Sequence, residues 1–351
     1  MESSATALER TEFQGNLAVV LDNLGRPAEA QVHHLRAITD AAAENDHPQL
    51  ATALANHALN RLDAGDVAAA SEQVAQSQHI LTTFEIAGSS AGFAATLRVQ
   101  CERALGHYSA ALAWCDRAEA ILAERNPSRV PVALLHRAHV WLDLGQHARA
   151  LQVLDGAELA TARSLPGRIA VRWLLLLARV KRRLGARQAG AVADLLDEAA
   201  ARAPTDGWPE LGLLVRTEQA LALEPPAALA QLQQVAAQAR ARKLHAAELG
   251  ALLHATTLAL PHDPLAAAQT AQAALALAAS TEATHADRAL RWLAPAQALA
   301  TADPAPAGRW AQAGQEWLRT TVSAHLAPEF ADSFLHQHPV NQALLAWRLV
   351  S

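Results

Sequence analysis

The segment Leu144-Gly-Gln-His-Ala-Arg-Ala-Leu151 recurs in modified form along the first half of this 351-residue chain. Its glycine, Gly145, belongs to a series of five that follow one another at steps of 40, 41, 39 and 40 residues. The series is Gly25, Gly65, Gly106, Gly145 and Gly185. Each of these glycines lies between two segments that have helical periodicity. A fixed period of this length predicts an array of helical hairpins.

Small residues accompany the glycines at fixed distances. An alanine follows five residues after each of the first four glycines, at Ala30, Ala70, Ala111 and Ala150. A second small residue follows seven positions later, at Ala37, Ser77, Ala118 and Ala157. A glycine ends a helix by adopting the left-handed conformation, and small residues let two helices pack closely. Because a single hairpin leaves an apolar face exposed, the hairpins are expected to stack.

Periodicity and helix breakers predict eight hairpins followed by a shorter pair of helices. The glycines mark the first five hairpins, and prolines delimit the later helices. The predicted pairs are 12–24 and 27–44, 48–64 and 66–84, 90–105 and 108–125, 130–144 and 147–163, 167–184 and 187–203, 208–223 and 226–242, 245–260 and 264–280, 285–302 and 306–326, and 328–336 with 339–350. We expect an all-α fold, a right-handed superhelical solenoid of about eight hairpins over residues 1–326. Residues 327–351 are expected to form a helical cap packed on the last repeats.

The composition argues against nucleic-acid and membrane partners. The formal net charge is −5 and the pI is about 6.3, which gives no basic surface for nucleic acid. The N-terminal residues lack the apolar stretch of a signal peptide, and no apolar run is long enough to span a bilayer. A cytoplasmic protein is therefore expected.

Several segments resemble tetratricopeptide repeats, although the period exceeds the usual 34 residues of that family. They are Leu17-Ala-Val-Val-Leu-Asp-Asn-Leu-Gly-Arg-Pro-Ala-Glu-Ala30, Leu105-Gly-His-Tyr-Ser-Ala-Ala-Leu112 and Leu144–Leu151. The segment Pro328-Glu-Phe-Ala-Asp-Ser-Phe-Leu-His-Gln-His-Pro-Val-Asn-Gln-Ala-Leu-Leu345 resembles the end of the sensor region in large bacterial ATPase-type transcriptional regulators. This resemblance implies signal input through a helical array. The chain lacks the phosphate-binding loop and the DNA-reading helices of those regulators, so it implies the sensor portion alone.

No catalytic or metal-binding signature is present. The chain has no His-Glu-x-x-His, no Cys-x-x-Cys and no Gly-x-Ser-x-Gly motif. His136 and His139 lie one helical turn apart, with His147 beyond the turn, but no carboxylate or thiolate has a matching spacing. An α-helical toroid enzyme needs paired acids and an aromatic-lined cavity, and aromatic residues make up only 4% of the chain. We therefore predict no enzyme activity, no metal and no cofactor.

Candidate ligand residues come from equivalent positions on successive first helices, which line the concave groove of a tetratricopeptide array. Eight residues before three adjacent glycines lie His57, Arg98 and Arg137. The complete set of candidate groove residues is Asn56, His57, Asn60, Arg98, Arg137 and Arg172. Arginines suit carboxylate or phosphate groups, and asparagines suit an extended backbone. The alternative is that these side chains are solvated or stabilise neighbouring turns.

The resulting prediction is a non-catalytic binding module, the sensor part of a transcriptional regulatory system. Its concave groove would recognise a peptide, a protein segment or a small effector such as an anionic metabolite. The alternative is a free-standing adaptor that scaffolds proteins. Because the ends of a solenoid need covering, self-association through an array end is also expected.

Overall fold

The computed structural model describes residues 7–165, 167–185, 188–203, 207–300 and 303–348, and within these ranges every regular element is helical. The first helices of the eight hairpins are α1 (Ala7–Asn23), α3 (His47–Ala64), α5 (Ser89–Leu105), α7 (Val130–Asp143), α10 (Gly167–Arg183), α12 (Pro209–Ala220), α14 (His245–Ala259) and α16 (Leu290–Leu299). Their partners are α2 (Pro27–Ala43), α4 (Val67–Thr83), α6 (Tyr108–Arg125), the pair α8 (His147–Leu154) and α9 (Ala157–Ser164), α11 (Ala189–Arg202), α13 (Pro225–Ala241), α15 (Pro264–Ala278) and α17 (Pro304–Ala324). Helix α18 (Pro339–Ala346) follows.

The helices form a superhelical array of hairpins, so the predicted all-α repeat fold is confirmed. Each first helix packs on its own partner and also on the first helices of the neighbouring hairpins, as α3 does on α1 and α5. The superhelix is tight enough for α14, in the seventh hairpin, to reach α3 in the second. Among the described helices, none is both long and apolar enough to cross a membrane.

The repeated glycines and alanines act as the sequence predicts. All five glycines have positive φ angles, such as +83° at Gly65, which a residue with a Cβ adopts only at a cost. The alanines that follow, Ala30, Ala70, Ala111 and Ala150, are all 0% exposed. Their small side chains let the two helices of each hairpin approach closely.

One predicted helix is interrupted. The sequence predicts a continuous helix over 147–163, but α8 ends at Leu154 and α9 begins at Ala157. Asp155 between them has extended backbone, and its carboxylate accepts a hydrogen bond from Lys181 of α10 at 2.7 Å. Gly156 then takes a φ of +74°, which turns the chain out of the helix.

The start of the last hairpin also differs from the prediction. A helix was expected from residue 285, but α16 begins only at Leu290. Residues 281–289, here called the interior segment, are irregular and lie inside the superhelix. The backbone N–H of Glu282 donates to Gly65 O at 2.9 Å, and Arg103 donates to Thr284 O at 2.8 Å. These contacts with α3 and α5 replace the hydrogen bonds that a helix would have made, so the prediction was wrong here.

The turns of the first four hairpins pack on the second half of the chain along a line that we call the seam. It joins Gly25 to Pro209, Gly65 to Thr281 and Glu282, Gly106 to Trp317, and Gly145 to Ser333 and His338. A Cβ added at Gly145 would lie 2.4 Å from Ser333 O, whereas one at Gly185 would meet nothing within 4 Å. Four of the five periodic glycines therefore also allow the superhelix to close.

The C-terminal segment crosses this seam. A helix was predicted over 328–336, but the chain forms a 3₁₀ turn at Pro328–Phe330 and a π-helical turn at Ser333–Gln337 before α18. Phe334 is fully buried, with its ring 5.5 Å from Tyr108 and 5.9 Å from Trp317. The segment thus packs on the third hairpin as well as on the last one. Such aromatic packing explains why it departs from a regular helix.

The seam leads to a first prediction. We expect Gly145→Ala to lower the free energy of unfolding by about 1–3 kcal/mol more than Gly185→Ala, measured by urea denaturation. Both substitutions force an alanine into positive φ, but only the first pushes a methyl group against Ser333 O. Equal losses in the two variants would show that the seam is not tightly packed.

Candidate binding surfaces on the inner helices

Two of the hollows lined by first helices in the described part of the chain are an N-terminal groove and a central cavity. The N-terminal groove is an open depression of about 520 Å³, lined mainly from α3, α5 and the start of α7. The central cavity is a smaller space of about 60 Å³ between α5, α7, α10, α12, α14 and the interior segment. A peptide fits only the first, because ligand pockets for molecules of that size measure roughly 300–1,000 Å³.

The N-terminal groove carries several polar groups on a mainly apolar lining. Among its lining residues are Thr52 and Ser90, whose hydroxyl oxygens lie 3.2 Å apart, and Thr96. Asn56 lies between them on α3, and its amide makes no hydrogen bond to any residue that the structure describes. Arg129 is exposed at the rim, where it forms no ion pair within the described ranges. The groove therefore offers an amide and a guanidinium to a ligand.

His57 and Asn60 connect the first two hairpins. His57 is 1% exposed, accepts a hydrogen bond from Gln73 Nε2 at 2.8 Å and stacks on His34 at 5.6 Å. Asn60 is 4% exposed and donates to Asp22 Oδ1 at 2.6 Å. Both side chains have partners inside the protein, and His57 lines neither hollow.

Arg98 and Arg137 also have carboxylate partners. Arg98 pairs with Glu102 on its own helix at 2.8 Å. Arg137 of α7 pairs with Asp116 at 2.6 Å and Glu119 at 2.5 Å, both on α6. The structure therefore does not bring His57, Arg98 and Arg137 together in one groove. The side chains of His57 and Arg137 contact second helices, and that of Arg98 contacts its own helix. The partners of Arg137 lie on α6, which the spacing along first helices alone could not reveal.

Arg172 of α10 lines the central cavity, and it donates to Asp63 of α3 at 3.2 Å. Of the six predicted residues, Asn56 lines the N-terminal groove and Arg172 the central cavity. Arg179, which continues the basic character of the fifth hairpin beside Arg172, lines the cavity as well. Arg103, His254 and His285 also line it and were not predicted. Two of these lie in the later hairpins, where the glycine period has stopped and gives no register to compare.

Buried ionic groups surround the cavity. Arg103 pairs with Asp143 at 2.9 Å, and Arg179 pairs with Glu218 at 2.9 Å. Burial, together with the nearby charges of Arg172 and Arg103, lowers the pKa of His136 to about 3. Burial likewise lowers the pKa of His254 to about 4 and that of His285 to about 3. These imidazoles are therefore neutral at pH 7.

One cluster has the ligand types of a metal site. Donor atoms of Asp63, Glu210 and His285 lie within 4.8 Å of one another. However, Arg172 and Arg168 lie 3.2 and 3.7 Å from the Asp63 carboxylate and already balance the negative charge. Burial raises the pKa of both Asp63 and Glu210, which also disfavours the doubly ionised form that a cation needs. We infer no metal here.

No protein-family model matches the chain, and no curated protein matches it. Solved structures do resemble it. The crystal structure of a Rap protein complexed with competence and sporulation factor has a TM-score of 0.60 at 12% identity, covering 96% of this chain and 98% of that chain. The apo form of RapI has a TM-score of 0.48 at 10% identity, over 95% and 97% of the two chains.

The first of these likenesses shows that the fold is shared along nearly the whole chain. It confirms the expected similarity to tetratricopeptide-like helical arrays. The expected kinship with the sensor regions of ATPase-type regulators stays a prediction, because these neighbours are Rap proteins.

The cavity histidines lead to a second prediction. Because His136 binds its proton only near pH 3 when folded and near pH 6.5 when unfolded, the unfolded state holds more protons between these values. Acidification from about pH 7 to about pH 5 should therefore lower the free energy of unfolding. In urea titrations His136→Gln should make this dependence shallower by up to about 1.4 kcal/mol per pH unit. His262→Gln, on an exposed turn, is the control, and an unchanged slope in His136→Gln would contradict the assignment.

Proposed function

We propose that this chain is a non-catalytic, cytoplasmic binding module that recognises a peptide or a protein segment in the N-terminal groove. The observation that carries the proposal is the amide of Asn56, which lies in an open groove without a hydrogen-bond partner in the described part of the chain. An asparagine amide both donates and accepts, so it can pair with the N–H and C=O groups of one extended residue.

The shape and charge of the groove favour a short acidic segment. Its volume of about 520 Å³ accommodates a few residues of extended chain. Arg129 at the rim suits a carboxylate through paired donors. Phe93 adds an apolar surface to the same wall, which suits one apolar side chain of the ligand.

The likeness to solved structures supports this reading at the level of the fold. The Rap protein that this chain resembles was crystallised with competence and sporulation factor, and the two chains correspond over nearly their whole lengths. By analogy we propose that ligand binding here is signal input to a transcriptional regulatory system. The alternative is a free-standing adaptor, which would hold two proteins together without responding to a signal.

A third prediction tests the groove. Short linear peptides of random sequence displayed on phage would be selected on the wild-type protein, and the enriched peptides synthesised. We expect Asn56→Ala to weaken their binding about tenfold in fluorescence anisotropy, because one bidentate backbone contact is lost. Gln233→Ala removes an exposed amide from the outer helix α13 and should leave the affinity unchanged. Failure to enrich any peptide, or equal affinity in Asn56→Ala, would contradict the proposal.

We also propose that the N-terminal end of the array self-associates. Phe13 and Val20 on α1 and Leu24 just after it are 61%, 51% and 42% exposed, and Val32 and Leu35 on α2 are 63% and 46% exposed. Such an apolar end is typical of a surface that another chain covers. A fourth prediction follows: native mass spectrometry should give a dimer for the wild type and a monomer for Val20→Glu. A wild-type monomer at micromolar concentration would contradict the proposal.

A further inference from the structure

We propose that the central cavity is a binding site for a small oxyanion, the group that carboxylates and phosphates share. This site is separate from the N-terminal groove and does not depend on the function proposed for it.

His136 on α7 gives the first reason. Its side chain is 8% exposed and lines the cavity, yet it makes no hydrogen bond to a described residue. The Nε atoms of Arg103 and Arg172, which line the same cavity, are buried without a hydrogen-bond partner in the described part of the chain. A buried polar group without a partner costs about 1–3 kcal/mol, so such groups around a cavity point to a ligand.

The charge of the lining gives a second reason. Three guanidinium groups, those of Arg103, Arg172 and Arg179, line the cavity together with a single carboxylate, Glu218. Both oxygens of Glu218 already accept hydrogen bonds, one from Arg179 and one from Arg182. An arginine carries five N–H donors and no acceptor, so donors exceed acceptors around this space. The charges of these arginines are already paired with Asp143, Asp63 and Glu218. An acceptor-rich ligand such as an oxyanion would accept hydrogen bonds from their remaining N–H donors.

The histidines that line the cavity are neutral at pH 7. Besides burial, Arg172 and Arg103 lower the pKa of His136, and the same two arginines with Arg179 act on His285. A neutral imidazole still donates one N–H to an anion. It also costs less to bury than an imidazolium.

Size limits the ligand to a few atoms. The cavity measures about 60 Å³, and a single water needs only about 10–15 Å³. A peptide or a nucleotide is therefore excluded. Apolar side chains of Leu135, Leu175 and Leu176 form the rest of the lining, and they reduce the access of water. Ion–dipole and charge–charge interactions are stronger in such surroundings than in water.

Gly250 provides a way to block the cavity without removing a charge. It lies on α14 and lines the cavity, and a Cβ added there would meet nothing within 4 Å. A larger side chain at this position would therefore extend into the space that the anion needs. Alanine at the same position should be tolerated, because it replaces a glycine within a helix.

The test uses inorganic phosphate and acetate as probes and sodium chloride as the ionic-strength control. Calorimetry would measure binding, and the ring signals of His136 in NMR spectra would locate it. We expect saturable binding of at least one oxyanion, with His136 signals that shift on addition. His136→Phe should weaken this binding at least about tenfold, the typical loss of a hydrogen bond to a charged group. Gly250→Leu should abolish binding, while Gly250→Ala should preserve it.

Two further variants separate the possible outcomes. His147→Phe replaces a partly buried histidine outside the cavity and should bind the oxyanion like the wild type. Asn56→Ala should also bind it normally, whatever happens to peptide binding, so the two proposals fail independently. The proposal is overturned if neither oxyanion binds saturably, if chloride gives the same response, or if Gly250→Leu binds as well as Gly250→Ala.

Discussion

The buried carboxylate of Asp287 connects the middle of the superhelix to its C-terminal segment, and the closed arrangement of the helices depends on this contact. It is 6% exposed, forms an ion pair with Arg183 of α10 and lies 3.5 Å from His338 in the C-terminal segment. Burial raises its pKa, but the attraction of Arg183 and His338 outweighs burial and holds the pKa well below its usual range. The interior segment is thereby fixed between the middle and the end of the chain. This anchor adds to the hydrogen bonds of Glu282 and Thr284 that hold the segment against α3 and α5.

Closure explains why the inside of this array is not one continuous groove. The interior segment and α14 occupy the space that an open superhelix would leave to a long ligand. What remains is an accessible groove at the start of the first hairpins and a small charged cavity at the centre. We propose a short segment as the ligand of the first and a few-atom anion as the ligand of the second. The sequence analysis had assigned a peptide, a protein segment or a small effector to a single concave groove.

Local features of the fold could be predicted from the sequence, and the long-range ones could not. Turn glycines and buried alanines act within one hairpin, so their spacing is visible in the chain. The approach of Ser333 to Gly145 joins residues 188 positions apart, and no periodic pattern records it. The same limit applies to the candidate site. Asn56 was proposed from its register and Arg172 from the basic character of the fifth hairpin, but the partners of Arg137 lie on a second helix. His285 lies in a segment that local periodicity had assigned to a helix.

Hydrogen exchange at two backbone amides tests the closed superhelix most directly. The N–H of Glu282 donates to Gly65 O, and the N–H of Ser109 donates to His325 O, each at 2.9 Å across the seam. Ser109 lies in the first turn of α6, where an amide has no partner within its own helix. In a closed superhelix both amides should exchange slowly, like those of the core helices. If both exchange as fast as amides of exposed loops, the seam is open and the central claim is wrong.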